Sequence, residues 1–128
     1  MLEVVCAVLQ RGERVLLCER AEGSHLAGHW EFPGGKVEPG EDRFTALERE
    51  ITEELGCTVK ATEALAAVEH EYPDLAIRLH PIRCLLVDGE PTALEHRSLG
   101  WFLPAEWLDL DLAEADRKVA ARLAPPRH

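Results

Sequence analysis

The sequence predicts one domain, residues 1–128, of mixed α and β structure: a mixed β-sheet with helices packed on it. Three observations predict this class. An alternating apolar run opens the chain, an amphipathic helix follows a glycine-rich loop, and the later strand and helix patterns lack a regular βαβ rhythm.

Val4, Cys6 and Val8 alternate with Val5, Ala7 and Leu9. The polar turn Gln10-Arg11-Gly12-Glu13 leads into a second strand over 14–19, so the two read as a hairpin. Residues 20–42 read as a loop, with five glycines and two prolines, and a loop that long in a small domain is usually functional. The clearest helix covers 43–55: Asp42 is its N-cap, Gly56 its stop, and Phe44, Leu47, Ile51 and Leu55 form one apolar stripe. Strand patterns follow near 57–60, 63–70, 75–87 and 98–103. Pro104-Ala105-Glu106-Trp107 reads as a short helical turn, and a last amphipathic helix runs from Ala113 to Leu123, before Pro125-Pro126.

Composition narrows the partners. Fourteen Lys and Arg face 24 Asp and Glu, a net charge of −10. Such a domain does not track a nucleic-acid polymer and is repelled by anionic lipid. No apolar run approaches the ~20 residues that span a bilayer. The N-terminus carries Glu3 and no basic segment, so no secretion signal is expected and the cytoplasm is. Cys6, Cys18, Cys57 and Cys84 form no C-x-x-C pair and read as buried, reduced thiols. An anionic substrate on so acidic a chain needs a divalent cation to invert the local field.

Glu50, Glu53 and Glu54 stand at i, i+3 and i+4 on the predicted helix, on an arc apart from its apolar stripe. A solvated acidic face and a cation site both fit that spacing. The loop in front, Phe32-Pro33-Gly34-Gly35-Lys36, favours the cation site, because glycine lets main chain approach an ion or ligand closely.

From Gly35 the chain reads G-K-V-E-P-G-E-D-R-F-T-A-L-E-R-E-I-T-E-E-L-G-C. This resembles the Nudix box, matched at Gly35, Glu41, Arg49, Glu50, Ile51, Glu53, Glu54 and Gly56, with Cys57 where an aliphatic residue is usual. The flanks resemble the MutT branch, in Trp30 to Lys36, in Arg20 and His25, in the Tyr72-Pro73-Asp74 turn, and in Gly89-Glu90-Pro91 with Glu95. The resemblance implies an α/β/α sandwich with the mixed sheet between helices. It implies Mg²⁺-dependent release of pyrophosphate from a nucleoside triphosphate, Mn²⁺ being a substitute metal.

The same resemblance implies roles. Glu53 and Glu54 hold the metal with the Gly34 carbonyl and Glu50 nearby, and Glu95 adds a ligand or orients water. Glu50 is the first choice of general base, with Glu95 behind it. Arg49 fixes the carboxylates, Gly35 and Glu41 shape the loop, and Lys36 contacts phosphate. Arg20, His25, Phe32, Tyr72 and Asp74 line a base pocket completed by Asp116. By register Asp116 stands where members specific for oxidised guanine carry an amide. An ionised Asp only accepts, which suits the exocyclic amine of cytosine, whereas a protonated buried Asp also donates. Two substrate classes therefore stand: oxidised purine dNTPs such as 8-oxo-dGTP, and CTP or modified dCTP. The rival of another class is a non-catalytic nucleotide-binding module, which need not keep Glu50, Glu53, Glu54 and Glu95 together. The expected assembly is a monomer or weak dimer.

Overall fold

The computed structural model describes residues 1–123. Its elements in chain order are β1 (Leu2–Arg11), β2 (Arg14–Glu19), β3 (Trp30–Glu31), β4 (Gly34–Lys36), α1 (Arg43–Leu55), β5 (Thr58–Ala64), β6 (Val68–Tyr72), β7 (Leu75–Asp88), β8 (Ser98–Phe102), α2 (Pro104–Trp107) and α3 (Glu114–Leu123). The strands join in one mixed sheet whose path is β3-β2-β1-β7-β5, with β4 on β1, β6 on β7 and β8 on β2. Only β1 and β7 run parallel among the named strand pairs; the others are antiparallel.

The opening run is apolar on both parities because both sheet faces are covered. Val5, Ala7 and Leu9 join Ala46, Leu47, Ile51 and Leu55 of α1 in one core. Cys6 and Val8 point the other way, toward Trp107, Ala115, Val119 and Ala120 of α2 and α3. The expected sandwich of helices about a mixed sheet is therefore present. All four cysteines are buried and free.

Helix α1 begins and ends where its caps dictate. The Thr45 N–H donates to Asp42 Oδ1 at 2.9 Å. Gly56 takes the left-handed conformation, φ +65°, that stops the helix.

Two details differ from the sequence reading. The 20–42 segment contains β3 and β4, which are too short and too rich in glycine to show a side-chain period; main-chain pairing to β2 and β1 defines them. The 57–60 and 63–70 patterns resolve instead into β5 and β6, with 65–67 outside either strand. Asp116, placed by the sequence in a pocket, is buried, only 7% exposed. Pro125-Pro126 and His128 lie outside the described residues.

Ile51 has no exposed surface and anchors α1 on the sheet. Ile51→Ala is expected to lower unfolding stability by about 2–5 kcal/mol, read as a shift of the urea midpoint with unchanged far-UV circular dichroism at 25 °C.

Candidate active site

A cavity of about 590 Å³ opens between the β1/β7 face, the β3–β4 segment, α1 and the start of α3. It is acidic at both ends. Glu50 and Glu54 line one end beside Gly34, Gly35 and Lys36; Glu31 and Asp116 line the other, with Arg20, His25 and Tyr72.

The α1 end is built by close packing. A Cβ on Gly35 would lie 2.4 Å from the Glu50 carboxyl carbon, and one on Gly34 would lie 1.9 Å from the Val5 carbonyl oxygen. Glycine is thus required at both positions for β4 to lie between β1 and the helix. Arg49 then holds the acids in place. Its Nε and Nη2 donate to Glu41 at 2.8 and 2.9 Å, and its Nη1 to Glu50 at 2.9 Å. Glu53 stands 3.4 Å from the same Nη1 and remains half-exposed. The loop roles expected of Gly35 and Glu41 fit this geometry: Glu41 also accepts from the Glu38 N–H at 3.1 Å.

Glu54 differs from its neighbours. Its side chain is 17% exposed, and Oε2 has no hydrogen-bond partner among the described residues. Burial, then the carboxylates of Glu31, Glu50 and Glu95, pushes its carboxyl up to about 9. Glu95 is exposed, on the 90–97 segment that crosses the end of α1. There Thr92 and Leu94 donate their N–H groups to the Leu55 and Glu54 carbonyls at 2.9 and 3.2 Å. Among the described residues no three His, Cys, Asp or Glu side chains are already gathered about one point. Glu50 and Glu53 are turned to Arg49 instead. The donor set nevertheless fits a hard divalent cation: several carboxylates, one with a buried free oxygen, beside main chain that two glycines bring close.

The α3 end is organised by Asp116. Its Oδ2 accepts the Phe32 N–H at 3.0 Å. Burial, then the Glu31 carboxylate, raises its carboxyl well above the usual range. Tyr72 OH accepts the Ala115 N–H at 3.0 Å, and His25 meets Tyr72 edge-on with centroids 5.5 Å apart. Asp74 sits at the rim, 3.1 Å from His25 Nε2. His29 turns away toward Asp111, so His25 and His29 form no pair.

Phe32 also lines the cavity. Its side chain is only 2% exposed and packs edge-on against Trp107, 6.0 Å between centroids.

Sequence reasoning missed Glu31 and His96 as site residues. Glu31 accepts from Arg20 Nη1 at 2.9 Å and faces His96 Nε2 at 2.9 Å. It lies within the Trp30–Lys36 motif, which marked the segment but gave no role to this side chain. His96 is 65 residues from Glu31, so no spacing linked them.

A sheet between helices, with an acid-bearing helix turned toward a diglycine strand, is an arrangement suited to holding a cation against a polyanion, and comparison with known proteins assigns the class, a hydrolase acting on phosphorus anhydrides. The NUDIX domain family model matches residues 4–122, and the chain belongs to that family. It is 42% identical over 116 residues to the CTP pyrophosphohydrolase of Escherichia coli (strain K12), covering 91% of this chain and 86% of the relative. The 8-oxo-dGTP diphosphatase of the same organism is 31% identical over 129 residues, 95% of each chain. A solved MutT NUDIX hydrolase from Burkholderia pseudomallei superposes with a TM-score of 0.81 at 31% identity, covering 95% of this chain and 97% of that one. The protein is a MutT-like Nudix hydrolase, an enzyme of a family that generally uses a divalent metal.

Two outcomes follow. Gly35→Ala is expected to displace Glu50 and lower hydrolytic turnover at least about tenfold, with near-native circular dichroism; full turnover would show that the contact does not matter. Asp116 binds its proton more tightly folded than unfolded, so its contribution to stability is complete below the ordinary aspartate pKa of 3.8 and is lost as pH rises above it. Between pH 5 and 8 the stability of Asp116→Asn relative to the native chain should therefore rise with pH. Parallel urea-denaturation profiles over that range would contradict this.

Proposed function

We propose that the chain is a Mg²⁺-dependent (deoxy)nucleoside triphosphate pyrophosphohydrolase. It yields the monophosphate and pyrophosphate from oxidised dNTPs such as 8-oxo-dGTP, and so sanitises the nucleotide pool. One observation carries the reading: a single cavity joins the Glu50 and Glu54 carboxylates and the Gly34-Gly35 main chain to the buried Asp116. The first end suits a polyphosphate with its cation, and the second suits the edge of a base.

Glu53 and Glu54 would hold Mg²⁺, with Glu50, Glu95 and the Gly34 carbonyl completing the set, and Mn²⁺ would substitute. A cation held there would neutralise the polyphosphate and polarise the phosphorus under attack. Glu50 takes the proton of the attacking water, with Glu95 as the alternative base. Arg49 holds Glu50 in line, and Lys36 meets a phosphate oxygen. Arg20, His25, Tyr72 and Asp74 shape the base end around the Phe32 main chain. Asp116, kept protonated by burial, offers both an O–H and a lone pair, so it can meet a purine carbonyl as an amide does.

A second reading, CTP or modified dCTP, is favoured by the 42% identity to a CTP pyrophosphohydrolase. An ionised Asp116 accepting from the cytosine amine would serve it. In either case one chain lines the whole cavity, so a monomer suffices and a weak dimer leaves the site intact. The free, buried thiols suit a cytoplasmic enzyme.

Normal and oxidised triphosphates, incubated with and without Mg²⁺, test the reading: pyrophosphate should leave only with metal, fastest from 8-oxo-dGTP. Orthophosphate release, or turnover without metal, would overturn it. Asp116→Asn should abolish any preference for cytosine if the second reading holds. Glu54→Gln is expected to lower kcat at least about a hundredfold without changing circular dichroism.

A further inference from the structure

His96 lies between Glu31 and Glu54, two acids that line the cavity, and belongs to neither set of expected site residues. Its side chain is 7% exposed. Nε2 is 2.9 Å from Glu31 Oε2 and 3.7 Å from Glu54 Oε2. Nδ1 is buried and has no hydrogen-bond partner among the described residues. These contacts assign the tautomer. The imidazole N–H sits on Nε2, where a carboxylate accepts it, and the unpartnered Nδ1 carries a lone pair rather than an orphaned proton. Arg20 grips the same Glu31 carboxylate from the opposite side, at 2.9 and 3.1 Å.

Glu31 is therefore fixed by two donors, and one of them stands between it and Glu54. Without such a donor Arg20 alone would hold Glu31, and nothing would separate its carboxylate from the Glu54 carboxyl. Glu31 would swing toward solvent or Glu54 would turn away from the cavity. Arg97 and Glu95 flank the imidazole in the chain, but main chain anchors the segment: the Arg97 N–H donates to the Glu19 carbonyl at 2.9 Å. His96 is thus held on a tied strap, an arrangement that gives its ring one defined position.

We propose that His96 is a positioning residue that couples the two ends of the site: by clamping Glu31 through Nε2–H it sets the base-end wall and holds that carboxylate apart from the buried, unpartnered Oε2 of Glu54, which fixes the placement of the Glu54 carboxyl. This inference rests on the pyrophosphohydrolase reading and deepens it. It gives one side chain an effect on both metal affinity and base discrimination, which a residue serving packing alone would not have.

The test uses the full chain with His96→Leu and His96→Gln. The Gln amide nitrogen reaches about where Nε2 lies, so it retains the donor. Two readouts are taken: Mn²⁺ affinity of the free protein by titration calorimetry, and the ratio of kcat/KM for 8-oxo-dGTP to that for CTP. His96→Leu should weaken Mn²⁺ binding roughly tenfold or more and shift the substrate ratio, while His96→Gln restores most of both. Native values of both readouts in His96→Leu would overturn the proposal, and so would an equal loss in the two variants. Should His96→Leu not fold, His96→Asn replaces it, because its amide reaches only the Nδ1 position; parity of Asn with Gln then overturns the proposal. If the native chain hydrolyses no triphosphate, the proposed function fails, while the Mn²⁺ affinities still decide on His96.

Discussion

The contact on which the rest of the site depends is the approach of Gly35 to Glu50. A carboxyl group occupies the place where any other residue would carry its Cβ. That contact fixes the spacing between α1 and β4, and a second glycine repeats the condition one residue earlier against β1. The helix is otherwise held by ordinary apolar burial of Leu47, Ile51 and Leu55, which tolerates small shifts. The glycine contact does not. It converts a general attraction between helix and sheet into one defined placement of three glutamates.

Charge then has to be balanced in a chain with ten more acids than bases. The balance is local. Arg49 serves Glu41, Glu50 and Glu53, and Arg20 serves Glu31. Among the described residues no guanidinium pairs with Glu54, whose carboxyl is pushed up by burial and by the Glu31, Glu50 and Glu95 carboxylates. For an exposed acid such crowding would cost little. For a buried one desolvation dominates, so the cluster is least comfortable at the position where a cation is most useful. Arg49 stabilises the surrounding carboxylates without satisfying that one.

How legible this was follows from what each feature depends on. Helix α1, its caps and its acid arc depend on residues within one turn of each other, so spacing reveals them. The two-faced β1 strand is legible for the same reason, since its period is local. The short strands β3 and β4 are not, because glycine and proline carry no pattern and the pairing lies with distant main chain. Asp116 shows the limit more sharply. Its position on a helix gave its register but not its burial, which is set by the Phe32 N–H 84 residues away. The same holds for Glu31 and His96, brought together by β2, with which β3 and β8 both pair. The candidate metal end was readable as a motif; the base end became readable only once the sheet was closed.

The segment that closes it also acts as a ruler. From Phe32, whose N–H meets Asp116, to Gly35, where an added Cβ would meet Glu50, is three residues. At about 3.3 Å per fully extended residue this spans at most roughly 10 Å, which the bend at Pro33 shortens. Both ends are pinned by main chain: the Trp30 carbonyl accepts from Ala113, and the Pro33 carbonyl accepts from Ala7, both within 2.9 Å. A nucleotide is likewise a rod, with a base at one end and phosphates at the other. Because the ruler is backbone, side-chain changes at Tyr72, His25 or Asp116 alter what the far end accepts without moving the near end. Relatives 42% and 31% identical to this chain carry names for different bases, CTP and 8-oxo-dGTP, as such a separation of the two ends allows.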